Sequence, residues 1–309
     1  MRIAILGSSG QLGFDLVRFL KSQGEHTALP FSGRAELDVC DTAAFTAMLE
    51  RDRPEAVINT AAFHNVDLCE QETEAAYRTN VVAVRGMAQA CESRRIWFVQ
   101  IGTDYVMEGA PENKPLPETA AVAPKSIYGL TRFGGDCMTL AHAPQFGYVV
   151  RSCGLFGVAG CKLKGGLNFV DTMIAAAQAG KPLRVVDDQI VAPTPTDELA
   201  TQLVLILEKA AEGGVGGVGW MPPGLYHAVS QGECSWYQFA KRGLEIWAAN
   251  GGGVFEISPV PSTTYAAPAK RPCYSVLDNA KLRVLGLNKM GPWEQALERF
   301  VKAKYGAGR

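Results

Sequence analysis

Apolar, β-branched runs of strand length recur through the first half of the chain, as RIAILG, HTALPF, EAVINTA, IWFVQIG and GYVVRS, with helix-length segments between them. Strands separated by helices pair side by side only through crossover connections. The pattern therefore predicts an α/β fold, a doubly wound parallel sheet with helices on both faces. The first helix presents Leu12, Leu16, Phe19 and Leu20 on one face. A second begins after Asp41, a good N-cap, and stops at Pro54, and a third is expected over about 72–95. From about residue 155 the pattern loosens into glycine-rich loops, a strand-like PLRVVDDQIV and a helix near 197–211, where a second, smaller unit should lie. GGVGGVGWMPPG (213–224) and the NGGG at 250 read as connectors.

A chain of 309 residues, 47% hydrophobic and 20% charged, with a formal net charge of -1, has no basic field for nucleic acid. The opening MRIAILG is too short for a signal-peptide core or a membrane span, so a cytoplasmic protein is expected. Eight cysteines without a C-x-x-C pair read as reduced thiols. His26, His64, His142 and His227 fit no ligand spacing, so no metal is expected.

ILGSSGQLGFDL places Gly7, Gly10 and Gly13 between the first strand and the first helix. The spacing is G-x-x-G-x-x-G, but the physical demands are those of a Rossmann-type turn: a tight bend, a bare backbone facing a pyrophosphate, and close packing of helix on strand. The second strand ends in Ser32, Gly33 and Arg34 rather than in an acidic residue. Arg34 could face a 2′-phosphate, which favours NADPH with NADH as the alternative, or it could be a solvated loop residue. Asp38 is a candidate for the adenine amino group, or simply precedes the next helix.

In SIYGLTRFGGD (126–136), Tyr128 and Arg132 lie four residues apart and share a helix face. A cation about 5 Å away, at an effective dielectric of about 20, contributes roughly 3 kcal/mol, or about two pKa units, enough to bring a phenol towards catalytic range. A surface pair with no chemistry is the competing interpretation.

At this point the sequence resembles the extended short-chain dehydrogenases/reductases, and within them the dTDP-4-dehydrorhamnose reductase family. The likeness covers almost the whole chain. It rests on GSSGQLG, VINTAAFHNVDLCEQETEAAYRTNVVAV, IGTDYVMEG, YGLTRFGGD, NFVDTMI, VVDDQIVAPTPTDELA, GLYHAVSQGECSWYQFA and PAKRPCYSVLDNAKL. The resemblance implies an NAD(P)-binding Rossmann domain over 1–155, with returning segments at about 192–230, and a smaller C-terminal substrate-binding domain built mainly from 156–191 and 231–309. It also implies Tyr128 as proton donor, Thr103 as a hydrogen-bond partner of the substrate carbonyl, and Arg132 where the family has lysine. The cofactor set it implies is Gly7, Gly10, Gln11, Leu12, Gly13, Arg34, Asp38, Val39, Ala61, Ala62 and Asn80. Asp67, Asp104, Tyr105, Asn168 and Arg271 are implied contacts of a nucleotide-sugar substrate, although Tyr105 could pack in the core, Asp67 could serve a helix start, and Asn168 and Arg271 could be structural. A monomer or homodimer is implied.

Related nucleotide-sugar dehydratases carry Asp-Glu after the threonine, whereas Asp104 is followed here by Tyr105. Without that glutamate, elimination lacks its base, and hydride transfer to a ketone with protonation by Tyr128 remains. Arginine keeps the charge but cannot lend a proton to a relay, so turnover could be altered. After the fifth strand the family commonly reads R-T-S-W, whereas this chain has Arg151, Ser152, Cys153 and Gly154, and the next loop adds Lys162 and Lys164. A pocket opened at Gly154 is the expectation. A cofactor-binding regulatory subunit, like that of methionine adenosyltransferase, is the reading from another functional class.

Overall fold

A computed structural model describes residues 1–107, 114–160, 165–212 and 221–306. The five apolar runs form β1 (Arg2–Leu6), β2 (Thr27–Phe31), β3 (Ala56–Asn59), β4 (Trp97–Thr103) and β5 (Gly147–Ser152). The chain then leaves the sheet for two short strands, β6 (Leu183–Val186) and β7 (Ile190–Val191), and returns as β8 (Gly224–His227) before β9 (Cys234–Ser235) and β10 (Ile257–Val260). The main sheet has the order β2-β1-β3-β4-β5-β8, with every pairing parallel. Its sixth strand was not singled out from sequence, because four residues of GLYH carry too little pattern to separate from a loop.

Helices α1 (Gln11–Gln23), α2 (Thr42–Asp52), α3 (Val66–Gln71), α4 (Thr73–Tyr77), α5 (Ala83–Ser93) and α6 (Ile127–His142) lie between the first five strands. They are followed by α7 (Phe169–Gln178), α8 (Thr196–Glu212), α9 (Trp236–Ala249), α10 (Ala280–Val284) and α11 (Trp293–Tyr305). Alternate residues of β1 enter two different cores. Ile3 and Ile5 pack with Leu12, Leu16 and Leu20 of α1 and Leu199 and Leu203 of α8, whereas Ala4 and Leu6 pack with Phe45 and Met48 of α2 and Met87 of α5. Burial on both faces explains why these strands read as continuous apolar runs. A separate core joins α7, α9 and α11 through Ile174, Phe239, Leu244, Leu297 and Phe300.

Two elements differ from the sequence expectation. The third helix starts early, at α3, where Asn65 caps it by accepting from Leu68 N at 3.2 Å. It then passes through α4 and a π-helical turn at Arg78–Val82 before α5. The PLRVVDDQIV segment is two strands in two sheets, β6 pairing in parallel with β10 and β7 antiparallel with β9. The break falls at its two aspartates. Asp187 accepts from Ser235 Oγ, and Asp188 accepts from Ser262 N at 2.9 Å. These side-chain bonds compete with a continued ladder.

Helix α1 lies almost against the turn that follows β1. A Cβ built on Gly13 would fall 2.3 Å from Gly7 O and 2.6 Å from Ser8 Cα. Those are backbone atoms that cannot swing aside. Gly13→Ala should therefore destabilise the protein by about 1–3 kcal/mol through overpacking, measured as a lower urea midpoint at unchanged slope.

Candidate active site

Strand β1 is followed by β2 on one side, whereas its other neighbour β3 is followed by β4 on the opposite side, so a crevice opens past the carboxyl ends of β1, β2 and β3, the switch point where doubly wound sheets bind ligands. A cleft of about 340 Å³ lies there, and Gly7, Arg34, Val39, Ala61 and Ala62 are in its wall. Gly7, at φ 76°, turns the chain so that Gly7 N and Ser8 N both donate to Phe31 O, at 2.9 and 3.0 Å. Gly10 opens α1 without a side-chain cap, so the first-turn N–H groups face the loop rather than a capping side chain. Gln11 Oε1 is buried without a partner among the described residues, and Leu12 is buried in the core, so Leu12 can meet a ligand only through its backbone. A bare glycine turn leading into an uncapped helix N-terminus fits a pyrophosphate. Arg34 is exposed at the rim, whereas Asp38 Oδ1 accepts from Cys40 N at 2.9 Å and so closes a local turn. Phe31, Leu37, Phe63 and Leu68 also line the cleft. Sequence reasoning missed them, because apolar residues of this kind look like ordinary core.

The second part of the site is built by α6. Ser126 caps it, accepting from Gly129 N at 3.1 Å, and Ile127 N donates to Glu70 Oε1 at 2.8 Å. A Cβ on Gly129 would come 2.4 Å from Tyr105 O, and one on Gly135 would come 2.4 Å from Asn80 O. The glycines of YGLTRFGGD thus let α6 settle onto the turn after β4 and onto the π-helical turn. Tyr128 is brought edge-on to Tyr105, with centroids 5.3 Å apart, and lies beside Thr103 at the end of β4. Buried Asn80 accepts from Phe63 N at 2.9 Å and donates to Thr131 Oγ1 at 3.1 Å, tying the cleft wall to α6.

The electrostatics correct one expectation. Arg132 does pull the Tyr128 phenol down, as does Thr103 beside it, but burial is the larger effect and the phenol ends above its ordinary value. The expected net fall of about two units does not occur. Arg132 is itself buried; its Nη2 donates to Ile101 O, and its Nε has no partner among the described residues. Behind it, Arg151 Nε meets Asp136 Oδ2 at 2.8 Å in a fully buried ion pair.

The remaining residues separate into two groups. Asp104 is buried, not presented to the cleft. It accepts from Thr103 Oγ1 at 3.1 Å, Cys153 Sγ at 3.2 Å and Ser275 Oγ at 2.6 Å. Asn168 is likewise turned inward, capping α7 in a reciprocal box with Asp171 and donating to Gly157 O at 3.0 Å. By contrast, Asp67 and Arg271 form a half-exposed ion pair at 2.8 Å across 204 positions of chain, with Tyr105 beside Arg271. Tyr105, Tyr128, Asp67 and Arg271 are thus gathered together. The space beside Gly154 is not simply open: a Cβ there would lie 3.3 Å from Pro193 Cα and 3.5 Å from the Trp236 ring. Lys162 and Lys164 lie outside the described residues.

Among the described residues, one group, Glu25, His26 and Glu208, brings three donor atoms within 4.8 Å of one another. It lies at the amino end of β2, away from the cleft. Both His26 ring nitrogens are engaged at 2.9 Å, by the Met1 amine and by Glu208. No helix among the described residues is long and apolar enough to cross a membrane.

A glycine turn at the switch point, with a threonine and a helical tyrosine meeting beyond β4, defines the class as an extended short-chain dehydrogenase/reductase. The family model described as RmlD substrate binding domain matches residues 1–305. A dTDP-4-dehydrorhamnose reductase from Streptomyces griseus is 35% identical, over 100% of this chain and 96% of that protein. A dTDP-4-keto-6-deoxy-D-glucose reductase from Streptomyces niveus is 32% identical, over 96% and 95% respectively. The crystal structure of dTDP-4-dehydrorhamnose reductase from Bacillus anthracis str. Ames in complex with NADP superimposes with a TM-score of 0.85 at 30% identity, over 97% of this chain and 98% of that one. The chain belongs to the dTDP-4-dehydrorhamnose reductase family and is an oxidoreductase.

The Asp136–Arg151 pair gives a stability test that needs no substrate. Asp136→Ala strands one buried guanidinium and strips a carboxylate from beside Arg132. A loss of about 3–5 kcal/mol is expected, measurable by urea denaturation.

Proposed function

We propose that this protein catalyses the NADPH-dependent reduction of the 4-keto group of a nucleotide-linked 6-deoxysugar, with dTDP-4-dehydro-L-rhamnose giving dTDP-L-rhamnose. The observation that carries this reading is Tyr128 of α6 brought beside Thr103 at the end of β4, near a glycine turn suited to a dinucleotide. The names of the three relatives described above, reductases of dTDP-linked keto sugars, support it. NADPH, when bound, supplies the hydride. Backbone groups of Gly7, Gly10, Gln11, Leu12 and Gly13 hold the pyrophosphate, Arg34 faces the 2′-phosphate, and Val39, Ala61 and Ala62 flank the adenosine. Asn80 fixes the cleft wall, and Asp38 lies near the adenine end.

Thr103 donates to the ketone oxygen and Tyr128 protonates the alkoxide. Because burial holds the phenol above its ordinary value, Tyr128 stays protonated through neutral pH and remains available as an acid. Tyr105 and the Asp67–Arg271 pair form the wall that meets the sugar nucleotide. In this reading the Rossmann domain is 1–155 with returning segments at about 192–230, the rest being mainly substrate domain, and the enzyme acts in the cytoplasm as a monomer or homodimer.

One observation favours a second reading. Arg132 replaces the family's lysine, and its Nη2 is spent on Ile101 O, which suits a regulatory subunit that binds cofactor without turnover. NADPH oxidation with enzymatically generated dTDP-4-dehydro-L-rhamnose separates the two. Turnover is expected. Tyr128→Phe should lower kcat by about 10²–10⁴-fold at unchanged NADPH affinity, and Arg132→Lys should raise it. Tight NADPH binding with no oxidation by the unaltered protein would instead support the regulatory reading.

A further inference from the structure

Helix α3 is six residues long, yet its side chains reach three different parts of the site. Leu68 lines the cleft. Glu70 Oε1 accepts from Ile127 N at 2.8 Å, one residue before Tyr128. Asp67 reaches across to the far end of the chain. Its Oδ1 accepts from Ala269 N at 3.2 Å and its Oδ2 from Arg271 Nη2 at 2.8 Å, while Arg271 Nη1 donates to Ala269 O at 3.1 Å. Asp67, Arg271 and the backbone of Ala269 thus form a closed ring of hydrogen bonds.

The ring clasps one end of a strap. Residues 263–268 are exposed, and so is Lys270, but Ala269 between them is 3% exposed. The strap is therefore pressed against the protein at the point where Asp67 holds it. Its other end is anchored at β6. Asp188 Oδ1 accepts from Ser262 N at 2.9 Å, Asp188 Oδ2 accepts from Ser262 Oγ at 3.0 Å, and Tyr265 OH donates to Arg184 O at 2.7 Å. Arg271 lies beside Tyr105, and Tyr105 packs edge-on against Tyr128, so the clasped end sits at the catalytic end of the molecule.

We propose that Asp67 is a positioning residue, the catch of a strap over 262–271 that closes the nucleotide-sugar site on its ligand and holds Arg271 there. This deepens the reductase reading given above and rests on it. A half-exposed ion pair and one backbone hydrogen bond are individually weak, and together they favour the clasped arrangement by roughly ten-fold. A catch of that strength keeps the strap down most of the time and still lets it lift for a ligand to enter and leave, as site-closing loops must. Its placement on α3 has a second effect. Because the same helix fixes the start of α6 through Glu70, the clasp sets Arg271 against the element that carries Tyr128. Asp67 takes no part in the proton step.

Two readouts on the full chain test this. Hydrogen exchange over 262–271 needs no turnover: dTDP-L-rhamnose together with NADP should slow it, and Asp67→Ala should speed it by about ten-fold in the free protein. Asn65 caps α3, so the variant keeps the start of that helix. In assays with NADPH and dTDP-4-dehydro-L-rhamnose, Asp67→Ala should raise KM for the sugar nucleotide by about ten-fold at unchanged Kd for NADPH. Asp67→Asn retains an oxygen for Ala269 N and should raise KM by only about three-fold. Unchanged exchange in Asp67→Ala, an unchanged KM in that variant, or exchange insensitive to dTDP-L-rhamnose in a protein that turns over would each overturn the strap and leave the reductase reading intact. Exchange slowed by dTDP-L-rhamnose without turnover of the keto sugar would keep the strap and overturn the reductase reading. Neither slowing nor turnover would overturn both.

Discussion

Parallel pairing of β4 with β5, from Phe98 opposite Gly147 to Thr103 opposite Ser152, brings both strands to an end at one level. The whole catalytic end of the molecule is measured from that line. Thr103 is the last ladder residue, and the 3₁₀ turn Asp104–Val106 begins where pairing stops. The turn presents Tyr105 O to Gly129 of α6, so the position of the helix along the sheet is set by a backbone contact rather than by a flexible side chain. Tyr128, one residue before that contact, inherits its precision. The glycine turn after β1 and the cleft past β3 lie at the same carboxyl edge, as an all-parallel sheet requires.

Under α6, one buried acid lies between two buried arginines. Asp136 pairs directly with Arg151 and is also drawn down by Arg132, although burial outweighs both and leaves its carboxyl raised. A similar competition decides the state of Tyr128. A cation nearby is worth roughly 3 kcal/mol at an effective dielectric of about 20, whereas full burial of an ionisable group can shift it by as much as 3–5 units. The stronger influence here is the dry environment, so the phenol is held in its protonated form rather than as a phenolate.

Much of the architecture was legible in the chain. Five strands, the face of α1 and the helix α8 follow from periodicity, because each is long enough to repeat its pattern, and the bounds of α2 follow from its Asp41 cap and Pro54. The strand β8 and the split between β6 and β7 were not legible, since one is too short to repeat and the other depends on side-chain bonds to Ser235 and Ser262, tens of residues away. At the site, the glycine loop and the Tyr128–Arg132 spacing could be read locally. The inward turn of Asp104 and Asn168 could not, because it depends on Ser275 and Cys153 in one case and on the geometry of a helix cap in the other. The direction of the Tyr128 shift was misjudged for a related reason: spacing reports neighbours on a helix, but it does not report how much water remains around them.

The π-helical turn at Arg78–Val82 carries Asn80, whose amide clasps Phe63 on one side and Thr131 on the other. Such a turn holds one residue more than the regular helix would. Were the same residues wound as a regular helix, everything after the turn would be rotated by about 100° relative to what precedes it. The irregularity thus acts as a phase adjustment, allowing one length of helix to serve the sheet with its later turns and the cleft with its earlier ones.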